Sequence, residues 1–566
     1  MNARDEQAHS RRRELGSSGS MARRTRSGIA GTMTQLAELS RQFGSGVAAR
    51  KAQLLHALLG TRRIGASYAA RLNRVLGFMR AYPDGAAVLA GVRRVAERLP
   101  APEPVTYPYS CEVVVRLLER FPDRVEIAWD DLEDDGPLID LLSLIVTPGE
   151  ELGLEDTSLS VQEWCARCRP ASSTSSDLAF VMRLLRESGL SPRLQAHLYE
   201  QGAVPVRWTG RWTSQIVRPA SRPCYQRRPV SRRRVPLAPI VRRPIDAPTP
   251  GGAALLDLAL ETLAVRTLEI YPLTHGNPAD VTVVDCGRGL RVILIGVVPS
   301  RRSPLEALHV FLITKNEMPI AYGPAAVFAG CCEMGINVFP EYRGGDIRAI
   351  YAQFMRVLHH WLGVDYFYLT RYGMGEGNAA ALGSGAFWFY RKLGFRPTNP
   401  EVERLAQAEE ARMRSRPGYR SDRRMLVRLS RTEACFDVSD GVRRPFPFGA
   451  LGMAASRMIA REFDGDRRRA TGVAVARLAA LLDVPAQHPA LGMLAPLLHV
   501  VPDLETWSRA DIRRLAAIVR AKGATSERRA ALGFNAHATL ERAWRRVSRP
   551  EAGYRPPEQP RRHDDV

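Results

Sequence analysis

Apolar residues recur at intervals of three and four along residues 30–205, a spacing that is typical of amphipathic helices. The segments SCEVVVRLLERF at 110–121 and DLAFVMRLLRESGL at 177–190 show the pattern, and a Pro-Asp-Gly sequence at 83–85 interrupts it between two other helical stretches. No motif with evident chemistry lies among these residues. We therefore predict a helical domain over 30–205.

The pattern changes at residues 206–250, where arginine and proline dominate and the apolar periodicity is lost. Proline extends a chain and clustered charge opposes burial, so this composition predicts an exposed basic linker between domains. The alternative is a contact strip for RNA or DNA, in which Trp208, Trp212 and Tyr225 stack on bases beside the arginines. The composition favours the linker.

From residue 251 onward, the apolar runs are shorter and predict β-strands. VTVVD and RVILIGVV flank a glycine-containing turn at 286–290, and HVFLIT and MPIAYGPAAVF flank a second turn at 315–317. A further strand, a helix over 347–361, another strand and a second helix follow, and residues 431–550 return to helical spacing. The predicted fold class is α+β, with a mixed, mostly antiparallel sheet flanked by N- and C-terminal helical regions.

The length of 566 residues predicts about three or four domains, and these changes of pattern divide the chain into seven segments. They are a disordered basic N-terminus (1–29), a helical domain (30–205), an Arg/Pro-rich linker (206–250), a strand-rich domain (251–400), a connector (401–430), a C-terminal helical domain (431–550) and a disordered tail (551–566).

Charge changes this picture only in part. The 81 basic residues outnumber the 59 acidic ones, for a formal net charge of +22, which points to nucleic acid or another polyanion as a partner. However, only four of the basic residues are lysines, and this strong skew to arginine is typical of GC-rich bacterial coding. The nucleic-acid hypothesis is therefore kept as an alternative and is not favoured.

Several classes of protein are not expected from the sequence. No stretch supplies the roughly 20 consecutive apolar residues of a membrane helix, and the polar N-terminus lacks the apolar segment of a secretory signal. Cys165 and Cys168 form an isolated Cys-x-x-Cys without a second ligand pair, so no metal site is predicted. We expect a cytoplasmic protein without a membrane partner.

Two motifs within residues 270–397 resemble those of the GNAT superfamily of acetyl-CoA-dependent N-acyltransferases. The first is VFPEYRGGDIR at 338–348, similar to that family's strand–turn–helix motif. The second is YRKLGF at 390–395, similar to its Y-x-K-x-G-F motif. The resemblance covers about a quarter of the chain and implies that segment 251–400 is a GNAT-like acyltransferase domain.

The resemblance also implies roles for individual residues. The backbone of Val338 and Phe339 would bind the pantetheine arm of acetyl-CoA or another acyl-CoA, and Asn378 would contact the same arm. Tyr390 would protonate the thiolate leaving group, and Glu333 would remove a proton from the amine. The residues expected around the pyrophosphate are Arg343, Gly344 and Gly345.

The turn departs from the family pattern, which has small residues where this chain has Asp346 and Arg348. At a helix N-cap, the Asp346 carboxylate is expected to accept hydrogen bonds from the first free amides, which are the donors that a phosphate would use. Two like charges about 4 Å apart repel by roughly 4 kcal/mol at a surface-like dielectric. Arg343 and Arg348 offset this repulsion if both reach the phosphates, so a working site and a degenerate one both stay open.

The spacing before Tyr390 departs as well, because Asn378 precedes it by twelve residues. Either the last helix is longer than usual, or Gly383-Ser384-Gly385 restarts it. In the second case, Ser384 is the expected N-cap and Asn378 lies in a loop.

The leading hypothesis is an enzyme that transfers an acyl group from acyl-CoA to an unidentified amine, and the large flanking regions suggest that this amine belongs to a macromolecule. The first alternative is a catalytically degenerate fold that serves as a scaffold or binding protein. The second is nucleic-acid contact through the Arg-rich segment, which should weaken steeply with salt.

Overall fold

The computed structural model describes residues 29–61, 63–155, 158–170, 176–218, 220–229, 236–344, 346–439 and 444–549. The predicted disordered tail at 551–566 lies outside these ranges, as do all but the last residue of the predicted disordered N-terminus at 1–29. The described residues confirm the predicted α+β class, with a large mixed sheet that has helical regions before and after it.

Four helices form the N-terminal helical region: α1 (29–39), α2 (Ser45–Leu59), α3 (Ala66–Ala81) and α4 (Ala86–Glu97). Their apolar faces pack into a core of their own, which includes Leu55, Leu76 and Val92. A buried ion pair joins Lys51 to Asp84 at 2.7 Å. The C-terminal end of α3 packs against the large sheet, close to the site described below.

The next region contains a three-stranded antiparallel sheet, which the prediction of a helical domain over 30–205 missed. Its strands are β1 (Val105–Tyr107), β2 (Val125–Ile127) and the central β3 (Val206–Trp208). Each strand has only three residues, too few for an alternating pattern to be visible in the sequence. The helices around it are α5 (Cys111–Arg120), α6 (Gly136–Ser143), α7 (Pro148–Leu154), α8 (Val161–Cys168), α9 (Asp177–Glu187) and α10 (Pro192–Gln201), with 3-10 turns at Pro122–Arg124 and Trp129–Asp131.

The described parts of the Arg/Pro-rich segment form only in part the exposed linker that its composition predicted, because several of its residues are buried. Trp208 is fully buried in the central strand, and the indole N–H of Trp212 donates to the carbonyl of Pro100 at 2.8 Å. Both rings are therefore engaged within the fold, which removes two of the three aromatic residues of the nucleic-acid hypothesis. Two short helices, α11 (Thr213–Ile216) and α12 (Leu237–Val241), follow, and α12 packs into the core of the large sheet.

The large sheet has ten strands and a mixed topology. They are β4 (Thr249–Pro250), β5 (Gly276–Asp285), β6 (Leu290–Val297), β7 (Ala307–Lys315), β8 (Met318–Phe328), β9 (Cys331–Met334), β10 (Asn337–Val338), β11 (Tyr366–Leu369), β12 (Arg396–Pro397) and β13 (Ala434–Asp437). Their order is β12-β13-β11-β9-β8-β7-β6-β5-β4, with β10 beside β8. All pairings are antiparallel except β9 with β11. The hairpins β5–β6 and β7–β8 form where the sequence predicted them.

Eight helices connect or cover these strands: α13 (Ala253–Ala264), α14 (Tyr271–Thr274), α15 (Ile347–Leu362), α16 (Arg371–Met374), α17 (Ala379–Ser384), α18 (Ala386–Leu393), α19 (Pro400–Ser415) and α20 (Arg423–Ser430), with 3-10 turns at Pro299–Arg301 and Pro340–Tyr342. Helix α15 buries the predicted stripe that includes Ile350, Phe354 and Leu358. It ends at Gly363, whose φ of 67° is the left-handed conformation that glycine adopts without strain.

Six helices form the C-terminal helical region: α21 (Phe448–Phe463), α22 (Arg467–Leu482), α23 (Pro489–His499), α24 (Arg509–Lys522), α25 (Arg528–Ala536) and α26 (Ala538–Val547), with a 3-10 turn at Leu504–Thr506. Their core includes Phe328 from the end of β8, so this region is fastened to the sheet. The boundary predicted at 431 is too early, because β13 at Ala434–Asp437 pairs with β11 and β12. The predicted connector at 401–430 consists mainly of helices α19 and α20, and it lies between strands β12 and β13, which pair with each other.

Candidate functional site

Strands β9 and β10 are two halves of one interrupted strand. Glu333 on β9 pairs with Ala326, Asn337 on β10 pairs with Tyr322, and both pairings belong to a single register along β8. The interruption at residues 335–336 therefore inserts no extra residue. The predicted site begins at this interruption.

The neighbour on that side is β11, which follows β9 for only part of its length. The parallel pairing extends to Tyr368, which lies opposite Glu333, and β11 ends one residue later at Leu369. Among the described residues, the edge formed by 335–338 is thus paired with β8 on one side and with no strand on the other. An unpaired strand edge presents N–H and C=O groups that a ligand's amides can meet.

A close backbone approach shapes the interruption. A Cβ atom placed on Gly323 would lie 2.1 Å from the carbonyl oxygen of Gly335 and 2.8 Å from the ring of Phe311. Only glycine at position 323 allows β8 to come this near to the interrupted strand.

A cleft of about 800 Å³ opens beside the unpaired edge, between the turn that follows β10 and helices α17 and α18. Its middle is lined by the apolar residues Ile336, Ala381 and Phe389. The cleft brings together six of the residues that the sequence singled out: Glu333, Val338, Arg343, Gly344, Asn378 and Tyr390. Phe339 is not among the residues that line it, and Gly345 lies outside the described residues.

Three of the predicted cofactor contacts are engaged within the fold at least in part, and one of them is the carbonyl of Val338, which accepts from the Nε of Arg343. The backbone N–H of Phe339 donates to the carbonyl of Ile320 at 3.1 Å, and its side chain is buried. The side-chain oxygen of Asn378 accepts from the N–H of Ala381 at 2.9 Å, which makes it the N-cap of α17. The amide of Phe339 and the side-chain oxygen of Asn378 are therefore not free for the roles assigned to them.

The prediction that the Asp346 side chain caps α15 is wrong. The residue occupies the N-cap position, but its φ of −88° and ψ of 13° lie outside the extended region that such caps use, and its carboxylate makes no bond to the helix amides. Instead, a carboxylate oxygen accepts a hydrogen bond from the hydroxyl of Tyr82 at 2.7 Å. Burial, and then the charge of Asp346, raises the pKa of Tyr82 well above its usual value, so the phenol keeps its proton and donates.

One end of the cleft is strongly basic. Arg343 and Arg348 both line it, and the Nε of Arg343 donates to the carbonyl of Val338 at 3.3 Å. Burial, and then the charges of Arg348 and Arg420, lowers the pKa of Lys392, which places these cations close together. Sequence reasoning missed Lys392, although it stands inside the second motif, and Arg420, which no sequence signal marks.

The opposite end carries two carboxylates. Burial, and then the charge of Glu433, raises the pKa of Glu333, while a hydrogen bond with Thr370 opposes the shift. Burial, and then the charge of Glu333, raises the pKa of Glu306, against the opposing charge of Lys522. Sequence reasoning missed Glu306, because only the pairing of β7 with β8 brings it to the same face as Glu333. A carboxyl with a raised pKa is suited to exchange a proton near neutral pH.

Tyr390 lies between the two ends, where the strand is interrupted. Its ring packs among aromatic neighbours, with centroid distances of 5.8 Å to Tyr351 and 5.7 Å to Phe395, and it is 6% exposed. Burial raises the pKa of its phenol to about 12, although a hydrogen bond from the backbone of Ile336 works in the opposite direction. The residue is thus part of the core and of the cleft wall at once, and its hydroxyl is protonated at neutral pH.

The helix before Tyr390 is divided, but the predicted N-cap at Ser384 is wrong. Helix α17 ends at Ser384, whose hydroxyl donates back to the carbonyl of Ala381 at 3.0 Å. Gly385, with a φ of 69°, then joins α17 to α18 without a side-chain cap. The break depends on the left-handed conformation of this glycine, and Asn378 is the N-cap of the first half.

Comparisons with known proteins add no assignment: no family model, no curated protein and no solved structure matches the chain. In the described part of the chain, no helix combines the length and the apolar composition that crossing a membrane requires. The same residues contain no group of three or more His, Cys, Asp or Glu side chains placed to hold a metal ion. The functional argument therefore rests on the geometry of the cleft.

Proposed function

We propose that this chain is a GNAT-like N-acyltransferase that moves an acyl group from acyl-CoA to an amine. The observation that carries the proposal is the interrupted strand, with Tyr390 at the interruption and a cleft that is basic at one end and acidic at the other. The order of antiparallel strands, interrupted strand, helix, parallel strand and helix supports it. So do the two sequence motifs, because both lie on the walls of the cleft.

The basic end suits the diphosphate and the 3′-phosphate of coenzyme A. Arg343 and Arg348 supply guanidinium groups, which bind phosphates in a forked geometry, and Lys392, which is near Arg348 but does not line the cleft, adds positive charge. Helix α15 begins at the same turn, and the first amides of a helix have no partner within it. The carboxylate of Asp346 accepts from Tyr82 and makes no hydrogen bond to these amides, which favours a working site over a degenerate one.

The unpaired edge at 335–338 suits the pantetheine arm, which carries two amide groups in an extended chain. Such an arm bonds to the edge as a short additional strand would. This arrangement brings the thioester to Tyr390, since the phenol is the polar group on the cleft wall at the interruption.

The acidic end supplies the remaining chemistry. Glu333 accepts a proton from the ammonium group of the acceptor, and its raised pKa brings its basicity nearer to that task. The neutral amine then forms a bond to the thioester carbonyl carbon while the carbon–sulfur bond breaks. Tyr390 donates its proton to the leaving thiolate, and the proton that the attacking nitrogen loses as the amide forms passes through solvent to the phenolate, which restores the phenol.

Calorimetry with acetyl-CoA and with longer acyl-CoA thioesters tests the proposal most directly. We expect binding with a dissociation constant on the order of 10 µM, followed by release of free thiol when amines are added. Absence of binding at millimolar concentration would overturn the proposal and leave a scaffold that shares only the architecture. Binding without thiol release over a broad panel of amines, including lysine-containing peptides, would also favour the scaffold.

A further inference from the structure

The hydrogen bond between Tyr82 and Asp346 joins two parts of the chain that are 264 residues apart. Tyr82 directly follows helix α3 of the N-terminal helical region and is 2% exposed. Asp346 directly precedes α15, at its N-cap position, and adjoins the basic end of the cleft without lining it. A residue outside the sheet therefore decides the direction of a carboxylate beside the anion site.

The phenol of Tyr82 is held in place from several sides. Its ring stacks on Phe78 with centroids 4.9 Å apart, and the ammonium group of Lys315 lies 5.6 Å from the ring centroid. The side chain of Asn316 donates to the carbonyl of Ala81 at 2.8 Å, which fixes the backbone just before Tyr82 to the turn between β7 and β8. Because these contacts fix the position of the buried phenol, its hydroxyl holds the accepting carboxylate in one place.

The same helical region holds the other side of the turn. The guanidinium of Arg41 donates to the carbonyls of Glu341 at 2.6 Å and Arg343 at 3.1 Å. Tyr342 is buried against α3, so closely that a Cβ atom on Gly77 would lie 2.9 Å from its hydroxyl. The N-terminal helical region thus contacts this turn at both ends, at Glu341, Tyr342 and Arg343 on one side and at Asp346 on the other.

An aspartate at a helix N-cap normally turns its carboxylate onto the first amides, because they lack other partners. In that position the carboxylate would occupy the donors that an anionic ligand needs and would repel its charge. The contact with Tyr82 directs the carboxylate the other way. This matters only where an anion binds at the turn.

We propose that Tyr82 is a positioning residue for the acyl donor: it holds the Asp346 carboxylate away from the α15 amides and thereby keeps them available to the diphosphate. The inference rests on the proposed function and deepens it, because it makes the N-terminal helical region a determinant of acyl-CoA affinity. Tyr82 itself touches neither the thioester nor the amine.

The test compares two acyl donors in the full-length protein. Acetyl-CoA carries the diphosphate, and S-acetyl-pantetheine presents the same thioester and arm without it. In Tyr82→Phe, the freed carboxylate turns to the amides, so we expect KM for acetyl-CoA to rise about tenfold while kcat stays within about twofold. The kcat/KM for S-acetyl-pantetheine should not change.

A second substitution separates positioning from general damage. Asp346→Ala removes the competing carboxylate, so the double variant Tyr82→Phe/Asp346→Ala should regain the wild-type KM for acetyl-CoA to within about twofold. The matched control is Tyr199→Phe, which removes the hydroxyl of another buried tyrosine, one without a hydrogen-bond partner and far along the chain from the turn. It should leave both donors unaffected.

Each other outcome is decisive. If the wild-type protein does not bind CoA, the proposed function falls and this inference falls with it. If the wild-type protein binds CoA and Tyr82→Phe binds it equally well, or loses activity with both donors alike, only the inference is overturned. Should Tyr82→Phe fail to fold, Asp346→Ala alone decides, because a carboxylate already held away predicts less than a threefold change in CoA affinity, and a tightening of tenfold would refute the inference.

Discussion

The N-terminal and C-terminal helical regions are attached to the same sheet by different kinds of contact. The N-terminal region contacts the turn before α15 through single polar groups, Tyr82 and Arg41, which bond to a side chain and to backbone carbonyls. The C-terminal region is attached through the apolar cluster around Phe328 and through a buried charge: the ammonium group of Lys522, which is paired with Glu527 of the same region, also donates to the carbonyl of Glu306 at 3.1 Å.

The difference indicates how each region bears on function. A polar contact that orients one loop changes the affinity for what the loop binds and contributes little to global stability. A buried ion pair in an apolar interface does the reverse, because removing one partner leaves an uncompensated charge in the interior. We therefore expect N-terminal substitutions to act on ligand binding and C-terminal ones to act on folding.

The largest effect is expected at Lys522. Its ammonium group and the Glu527 carboxylate are both fully buried, so Lys522→Met should lower the free energy of unfolding by about 3–5 kcal/mol, as measured by urea titration. The double variant Lys522→Met/Glu527→Leu should recover most of this loss, since it leaves no buried charge unpaired. Equal losses in both variants would show that the pair does not stabilise the interface.

Within the cleft, between the two regions, Tyr390→Phe should lower kcat by about a hundredfold with little change in KM, because the thiolate would leave without a proton donor. The matched control is Tyr351→Phe. Tyr351 is fully buried, its ring lies 5.8 Å from that of Tyr390, and its hydroxyl has no hydrogen-bond partner. Equal activity of wild type and Tyr390→Phe would remove this tyrosine from the mechanism.

A smaller effect should follow from loss of Arg41. Arg41→Ala removes two hydrogen bonds to the turn, so KM for acyl-CoA should rise about threefold, while the free energy of unfolding should change by no more than about 0.5 kcal/mol. Arg98→Ala is the control, because Arg98 also donates to two carbonyls, those of Leu59 and Thr61, within the N-terminal region itself. If Arg41→Ala destabilised the fold more than it weakened binding, the contrast between the regions would fail.

The smallest effect concerns pH. Glu333 must be ionised to accept a proton, so activity should fall as the pH drops through its raised pKa. The charge of Glu433 contributes to that rise, and Glu433→Gln should therefore move the acid limb of the kcat/KM profile to lower pH. An acid limb that moves to higher pH, or does not move, would show that Glu433 does not act on the base.

Much of the architecture follows from local patterns in the sequence. The hairpins β5–β6 and β7–β8 and the buried stripe of α15 were predicted correctly, because alternation and helical spacing report which face of an element is apolar. The sheet around 206–208 and strand β13 were missed, because strands of three or four residues carry too little pattern and are specified by their partners.

The residues of the site also separate into those that local sequence patterns could mark and those that they could not. Residues close together in the chain, such as Val338, Arg343 and Gly344, could be singled out from the turn motif, and Tyr390 from its own. Glu306 could not, because strand register brings it to the same face as Glu333, and Arg420 could not, because only packing places it near Lys392, outside the cleft lining.

The chain by itself determined where the longer hairpin strands and helix α15 form, since their apolar patterns are local. Only the tertiary structure decided which donor the Asp346 carboxylate bonds to. From its own neighbours, Asp346 was expected to close the turn, but a hydroxyl 264 residues away accommodates the carboxylate instead. A charged side chain bonds to the best-placed donor in space, and that donor is set by packing rather than by sequence distance.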